Sequence, residues 1–165
     1  SITAANLTKY FIVRTSWLYG TGGNNFVETI LRLAAEREDL RIMDDQVGSP
    51  TFTGDLADAI FNLLDIAANP GLVATSPYGV YHFSNDGECS WYEFACAIVE
   101  EAHLRRLPCK VTRIDPICTE DYPLPAKRPH NSVFDKTKYK SIAQAEIPGW
   151  RDSLQKYFSI REQSN

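Results

Sequence analysis

Few side chains in this 165-residue sequence are spaced for chemistry. Trp17 and Tyr19 follow a short apolar run, where a chain leaves the carboxyl end of a parallel strand. Open α/β sheets bind ligands along that edge. Aromatic rings there either stack on a sugar or base or plug the core, and composition and spacing leave both readings open. Lys127-Arg128-Pro129 closes a stretch that also holds Pro116, Pro123 and Pro125. An arginine on such stiff backbone can present its planar fork to a diphosphate, the competing reading being a solvated surface charge. Asp44-Asp45, Glu100-Glu101 and Glu120-Asp121 pair carboxylates only as chain neighbours, which point apart, so they read as solvated faces.

Gly20-Thr21-Gly22-Gly23-Asn24-Asn25 comes close to the dinucleotide fingerprint GxGxxG, with Asp44 and Asp45 following at about the expected distance. However, Asn25 stands where the third glycine belongs, and Arg14 to Tyr19 separate the apolar run from Gly20. A turn with Asn24 or Asn25 capping the next helix is therefore expected. No GxSxG, HExxH or GxxxxGK[ST] pattern occurs. Cys89, Cys96, Cys109 and Cys118 form no CxxC pair, and His82, His103 and His130 are not spaced to share a metal. Free thiols in a reducing cytosol are expected.

The net charge of −4 and the scattered basic residues argue against a nucleic-acid partner. With 44% apolar and 23% charged residues the composition is that of a globular chain, and no apolar run has the length of a membrane span. The length fits one domain or a piece of one. The chain starts at Ser1 and enters a strand-like run almost at once, like a chain cut from something longer.

The elements that must position these residues follow from periodicity. Tyr10 to Arg14, Leu40 to Met43, Gly79 to Ser84 and Lys110 to Ile114 read as strands. Asn24 to Glu38 reads as a helix with apolar residues at 26, 30, 33 and 34. From Asp55 to about Ala68 a second helix presents Leu56, Ile60, Leu63, Leu64 and Ala67, ended by Asn69-Pro70-Gly71. Ser90-x-x-Glu93 is a capping box opening a third, whose stripe is Phe94, Ala95, Ile98 and Ala102. The prolines enforce extended backbone up to about Val133, and a last helix from Trp150 to Glu162 buries Trp150, Leu154, Tyr157 and Phe158. Alternating strands and helices predict an α/β fold with mainly parallel pairing.

Arg14-Thr15-Ser16-Trp17-Leu18-Tyr19-Gly20, Asn24-Asn25-Phe26-Val27 and Asp45-Gln46-Val47-Gly48-Ser49-Pro50-Thr51-Phe52-Thr53 together resemble the dTDP-4-dehydrorhamnose reductase family. Gly79 to Ser84, Arg128-Pro129-His130-Asn131-Ser132 and Trp150 to Leu154 follow in the same order, so the resemblance spans nearly the whole chain. It implies the carboxy-terminal part of an extended short-chain dehydrogenase. Residues 1–165 would form one substrate-binding unit that includes the last Rossmann-like strands and is incomplete without the amino-terminal half. The activity implied is NADPH-dependent reduction of dTDP-4-dehydro-L-rhamnose to dTDP-L-rhamnose for cell-surface glycans, in the cytoplasm, by a possible homodimer.

The family's catalytic Tyr-x-x-x-Lys is missing, since none of the eight tyrosines is followed by lysine at that spacing, and so is the glycine fingerprint. No catalytic residue is expected in this chain, and alone it is expected to be inactive. By resemblance Trp17 contacts the nucleotide sugar, Asn25 and Gln46 hydrogen-bond sugar or base, and Arg128 meets the diphosphate. Thr15 and Ser16 come near the nicotinamide of NADPH, whose seat is mainly in the missing half. The alternatives are a non-catalytic relative such as the regulatory subunit of methionine adenosyltransferase, an epimerase or dehydratase acting on UDP or GDP sugars, and an interaction domain without a ligand.

Overall fold

The computed structural model describes residues 7–69, 71, 75–121 and 128–163. In chain order the elements are β1 (Phe11–Arg14), β2 (Leu18–Tyr19), α1 (Phe26–Glu36), β3 (Asp39–Met43), β4 (Val47–Gly48) and β5 (Thr51–Phe52). There follow α2 (Thr53–Ala68), β6 (Gly79–His82), β7 (Cys89–Ser90), α3 (Trp91–Leu104), β8 (Arg113–Ile117), a 3-10 turn (Thr119–Asp121), α4 (Thr137–Ala143) and α5 (Trp150–Gln163). The pairs β1–β6, β2–β5 and β3–β8 run parallel, and β4–β7 antiparallel. The expected α/β class with mainly parallel strands is thus the observed one.

Two apolar cores hold these layers. In the larger, Tyr19, Val27, Ile30 and Phe52 meet Phe94 and Ile98 of α3 and Leu154, Tyr157 and Phe158 of α5. In the smaller, Ala59, Leu63 and Ile66 of α2 pack on Tyr81, Phe83, Tyr139 and Ile142. The side chain of Asn25 accepts from Glu28 N at 3.1 Å and so caps α1, one of the two caps expected. Ser90 and Glu93 close the expected capping box of α3 in both directions, at 3.0 and 2.8 Å. The inward stripes expected of α3 and α5 are buried as well.

Three expectations need correction. The fourth strand lies at Arg113–Ile117 rather than Lys110 to Ile114, and it contains Pro116. Pro116 stands opposite Ile42. Among the described strands β8 pairs with β3 alone, so on its other side a missing N–H costs no ladder bond. On α2 the buried residues are Asp55, Ala59, Leu63 and Ile66, whereas Ile60 and Leu64 of the expected face are exposed. The reason is Asp55, whose carboxylate is 4% exposed and accepts from Asn85 at 2.7 Å and from Lys156 at 3.0 Å. Anchoring that carboxylate inward turns the most apolar stripe outward. Finally, α4 and the two-residue strands β2, β4, β5 and β7 have no counterpart in the sequence reading, being too short to show periodicity. Pro70, Pro123, Pro125 and Lys127 lie outside the described residues.

Candidate nucleotide-sugar site

Directly after β1 the chain turns sharply. Trp17 sits at φ 49, a left-handed conformation that a large side chain adopts only when its surroundings impose it. β5 supplies the constraint: Thr51 N donates to Trp17 O at 3.1 Å, and Thr51 Oγ1 donates to Ser16 O at 2.7 Å. Thr15 Oγ1 in turn donates to Thr51 Oγ1 at 3.2 Å. β5 itself is pinned from below, because Phe52 N donates to Asn85 Oδ1 at 2.8 Å and Asn85 Nδ2 reaches Asp55 and Ser153 Oγ, each at 2.7 Å. The buried network on α2 and α5 therefore fixes the backbone that aims Trp17.

The Trp17 indole lies parallel to that of Trp91, with centroids 3.5 Å apart and planes 10° apart. Trp91 is the first residue of α3, held by the capping box, and it packs on Phe26 with ring centroids 4.5 Å apart. Gly48 lets the backbone come this close: a Cβ there would lie 2.5 Å from Trp17 Cε2 and 2.7 Å from Ser132 Oγ. A glycine is required by contact, not by its dihedral angles.

The segment Arg128 to Ser132 is zipped onto β4. Val47 N donates to His130 O at 2.8 Å, and Ser132 N donates to Val47 O at 2.9 Å. This clasp brings Arg128 and Pro129 to the same concavity as the indoles, a space of about 290 Å³ lined by Trp17, Gln46, Trp91, Arg128, Pro129 and Ser132. Gln46, 3% exposed, sends Nε2 to Thr119 Oγ1 at 2.8 Å and to Met43 Sδ at 3.3 Å. Thr119 also donates from N and Oγ1 to the Asp45 carboxylate, at 2.9 and 2.8 Å. The Thr119 amide is the main reason that Asp45 titrates below the usual aspartate value.

Three of the four expected substrate residues, Trp17, Gln46 and Arg128, thus share one wall-to-wall concavity. Asn25 does not line it. Its Oδ1 caps α1 and its Nδ2 donates to Gly20 O at 2.9 Å, so both ends of the amide serve the turn. Thr15 and Ser16 lie on the carboxyl side of β1, and Ser16 Oγ is buried without a partner among the described residues. Trp91 was missed by the sequence reading. The available signal was a second tryptophan immediately after a capping serine, where a helix start displays its first side chain outside the core stripe.

The glycine-rich loop forms a separate open depression with Glu28, Arg32 and Arg161. Gly22 and Gly23 take φ 81 and 88. The helix end beneath is closed by Asn25 and carries Glu28 in its first turn, paired to Arg161 at 2.9 Å. A carboxylate there opposes the phosphate binding that a helix amino end otherwise favours. The turn reading of this loop is the one the fold bears out.

A spore coat polysaccharide biosynthesis protein of Bacillus subtilis (strain 168) is 44% identical over 152 residues, covering 91% of this chain and 47% of the relative. A dTDP-4-dehydrorhamnose reductase of Aggregatibacter actinomycetemcomitans is 42% identical over 146 residues, covering 88% of this chain and 49% of the relative. The crystal structure of a dTDP-4-dehydrorhamnose reductase from Bacillus anthracis in complex with NADP superposes with a TM-score of 0.80 at 42% identity, covering 93% of this chain and 49% of that one. The chain therefore spans about half the length of the relatives it matches. The sequence model of the RmlD substrate binding domain matches residues 1–162, and the chain belongs to that family.

Proposed function

We propose that this chain is the nucleotide-sugar-binding part of a dTDP-4-dehydrorhamnose reductase, an NADPH-dependent oxidoreductase that reduces dTDP-4-dehydro-L-rhamnose to dTDP-L-rhamnose. The observation that carries the reading is the meeting of Trp17, Gln46 and Arg128 in one concavity. An indole face receives a sugar or base ring, a guanidinium receives a diphosphate, and a buried amide fixes the orientation. The reductase names of the relatives support this chemistry over a sugar epimerase or a non-catalytic regulatory subunit.

When bound, NADPH supplies the hydride that adds to the keto carbon while the keto oxygen takes up a proton. This chain fits only the reactive end of that cofactor. Among the described residues Ser16 Oγ is a buried hydroxyl without a partner at the carboxyl edge of β1, with Thr15 beside it, whereas the glycine-rich helix start carries Glu28 where a pyrophosphate would sit. Hydride transfer needs donor and acceptor held together in one cleft, so the chain alone should bind the sugar nucleotide and turn nothing over. Cys89, Cys96, Cys109 and Cys118 are all unpaired, in keeping with a reducing cytoplasm, and among the described residues no helix is long and apolar enough to cross a membrane. The outward row Ile60, Phe61 and Leu64 on α2 is the surface we assign to self-association.

The test is the melting temperature of the chain with dTDP, dTDP-rhamnose and UDP-glucose. A ligand that binds only the folded state must raise it, by about 2.7 kcal/mol of stability at a hundredfold excess over Kd. The dTDP ligands should raise the melting point and Trp17→Ala should remove the rise. An unchanged melting point with every ligand would contradict the reading.

A further inference from the structure

Gln46 is the one amide on the wall of the concavity, and its polarity is fixed by its neighbours. The Asp45 carboxylate can only accept, and Thr119 Oγ1 lies 2.8 Å from Asp45 Oδ1. The threonine hydroxyl has a single proton, so that contact uses it, and at the 2.8 Å contact with Gln46 the oxygen must accept. The second neighbour, Met43 Sδ at 3.3 Å, is also an acceptor without a proton. Two independent contacts therefore place the NH2 group of Gln46 inward. Its Oε1 receives no hydrogen bond from any described residue, and since it is not among the buried unpaired oxygens while the rest of the residue is almost wholly covered, this carbonyl oxygen is the end of the amide left open to the concavity as an acceptor.

Resting on the nucleotide-sugar reading above, we propose that Gln46 Oε1 is a specificity-determining acceptor that selects a ligand presenting a ring N–H or a hydroxyl to it, and that Thr119 and Met43 are positioning residues that keep the amide from flipping. A volume of about 290 Å³ beside two stacked indoles suits one flat ring, and Arg128 on the same wall suits the phosphate attached to it. The donor has two sources in a nucleotide sugar. One is the ring N–H of thymine or uracil, which cytosine lacks; the other is a sugar hydroxyl. Rejection of a ligand that turns an acceptor toward Oε1 follows from leaving two unpaired acceptors face to face once the ligand has displaced the water between them.

Calorimetric titration of the 165-residue chain with dTDP, UDP, CDP and dTDP-rhamnose separates these. If the base is read, UDP and dTDP bind about tenfold or more tightly than CDP. If a sugar hydroxyl is read, CDP matches UDP and dTDP-rhamnose exceeds dTDP by a similar factor. In either case Thr119→Val should bring the discriminating ratio close to one with the melting temperature held, and Thr119→Ser should restore it. A loss of folding alone would weaken all ligands together and leave the ratio unchanged. Ratios of one for every pair in the unsubstituted chain, or a ratio that Thr119→Val leaves intact, would overturn the role of Gln46 while dTDP binding abolished by Trp17→Ala kept the site. Binding of none of the four would overturn both.

Discussion

Arg128 and Trp17 divide the work of the concavity between charge and stacking. The guanidinium sits at the mouth, on a segment whose backbone is committed to β4 through His130 and Ser132. Its contact with a diphosphate should be charge-assisted, of about 1.5 to 3 kcal/mol. Arg128→Ala is therefore expected to weaken dTDP at least about tenfold and to flatten the dependence of Kd on salt, both readable by titration at two ionic strengths. An unchanged Kd would return Arg128 to the solvated-charge reading. The sequence showed Trp17, Gln46 and Arg128 individually, through position after a strand, through motif and through stiff backbone. What it hid was Trp91, because only the fold brings a residue 74 positions away into stacking contact with Trp17, and the commitment of Asn25 to its cap.

Helices and strands were legible where periodicity was long and unbroken. The stripe of α3 and that of α5 could be read because each repeats over three or four turns and faces an unmixed apolar core. On α2 the same logic failed, since a buried Asp55 satisfied by Asn85, Ser153 and Lys156 outweighs the pull of Ile60 and Leu64. Strand β8 lies three residues beyond the run read as a strand and takes in Pro116, which an edge position tolerates. Between elements, Glu28 joins α1 to α5 through Arg161 at 2.9 Å and through the Tyr157 hydroxyl. Partial burial pulls the Glu28 carboxyl upward, and the bonds from Arg161 and Tyr157 outweigh it, holding it below its ordinary value of 4.5. A carboxyl depressed in the folded chain contributes stability that is complete above pH 4.5 and lost as pH falls through the folded value. Glu28→Gln should thus cost roughly 1 kcal/mol, about 3 °C, at pH 7, and the gap to the unsubstituted chain should narrow as pH falls below 4.5 in parallel thermal melts. A gap that persists at low pH would show that the charge is not what links the helices.

At the scale of the molecule, the outward row on α2 gathers three exposed apolar side chains among the described residues, with Phe61 65% and Leu64 49% accessible. Isolated apolar residues are ordinary on a surface, but three on one helical face favour association. Sedimentation should show concentration-dependent association that Phe61→Lys reduces without lowering the melting temperature. A monomer at all concentrations would remove the interface assigned to this face.

The central claim is that a nucleotide sugar binds between the indole pair and Arg128. The chain has three tryptophans, of which Trp17 and Trp91 line the concavity while Trp150 is buried in the core against Phe94. Nitrogen-15 spectra resolve the three indole N–H groups, so one titration with dTDP-rhamnose reports on the site and on its own control. The account predicts that the Trp17 and Trp91 signals move together with one Kd while the Trp150 signal stays. Binding that shifts Trp150 alone, or saturating ligand that moves none of them, would contradict it.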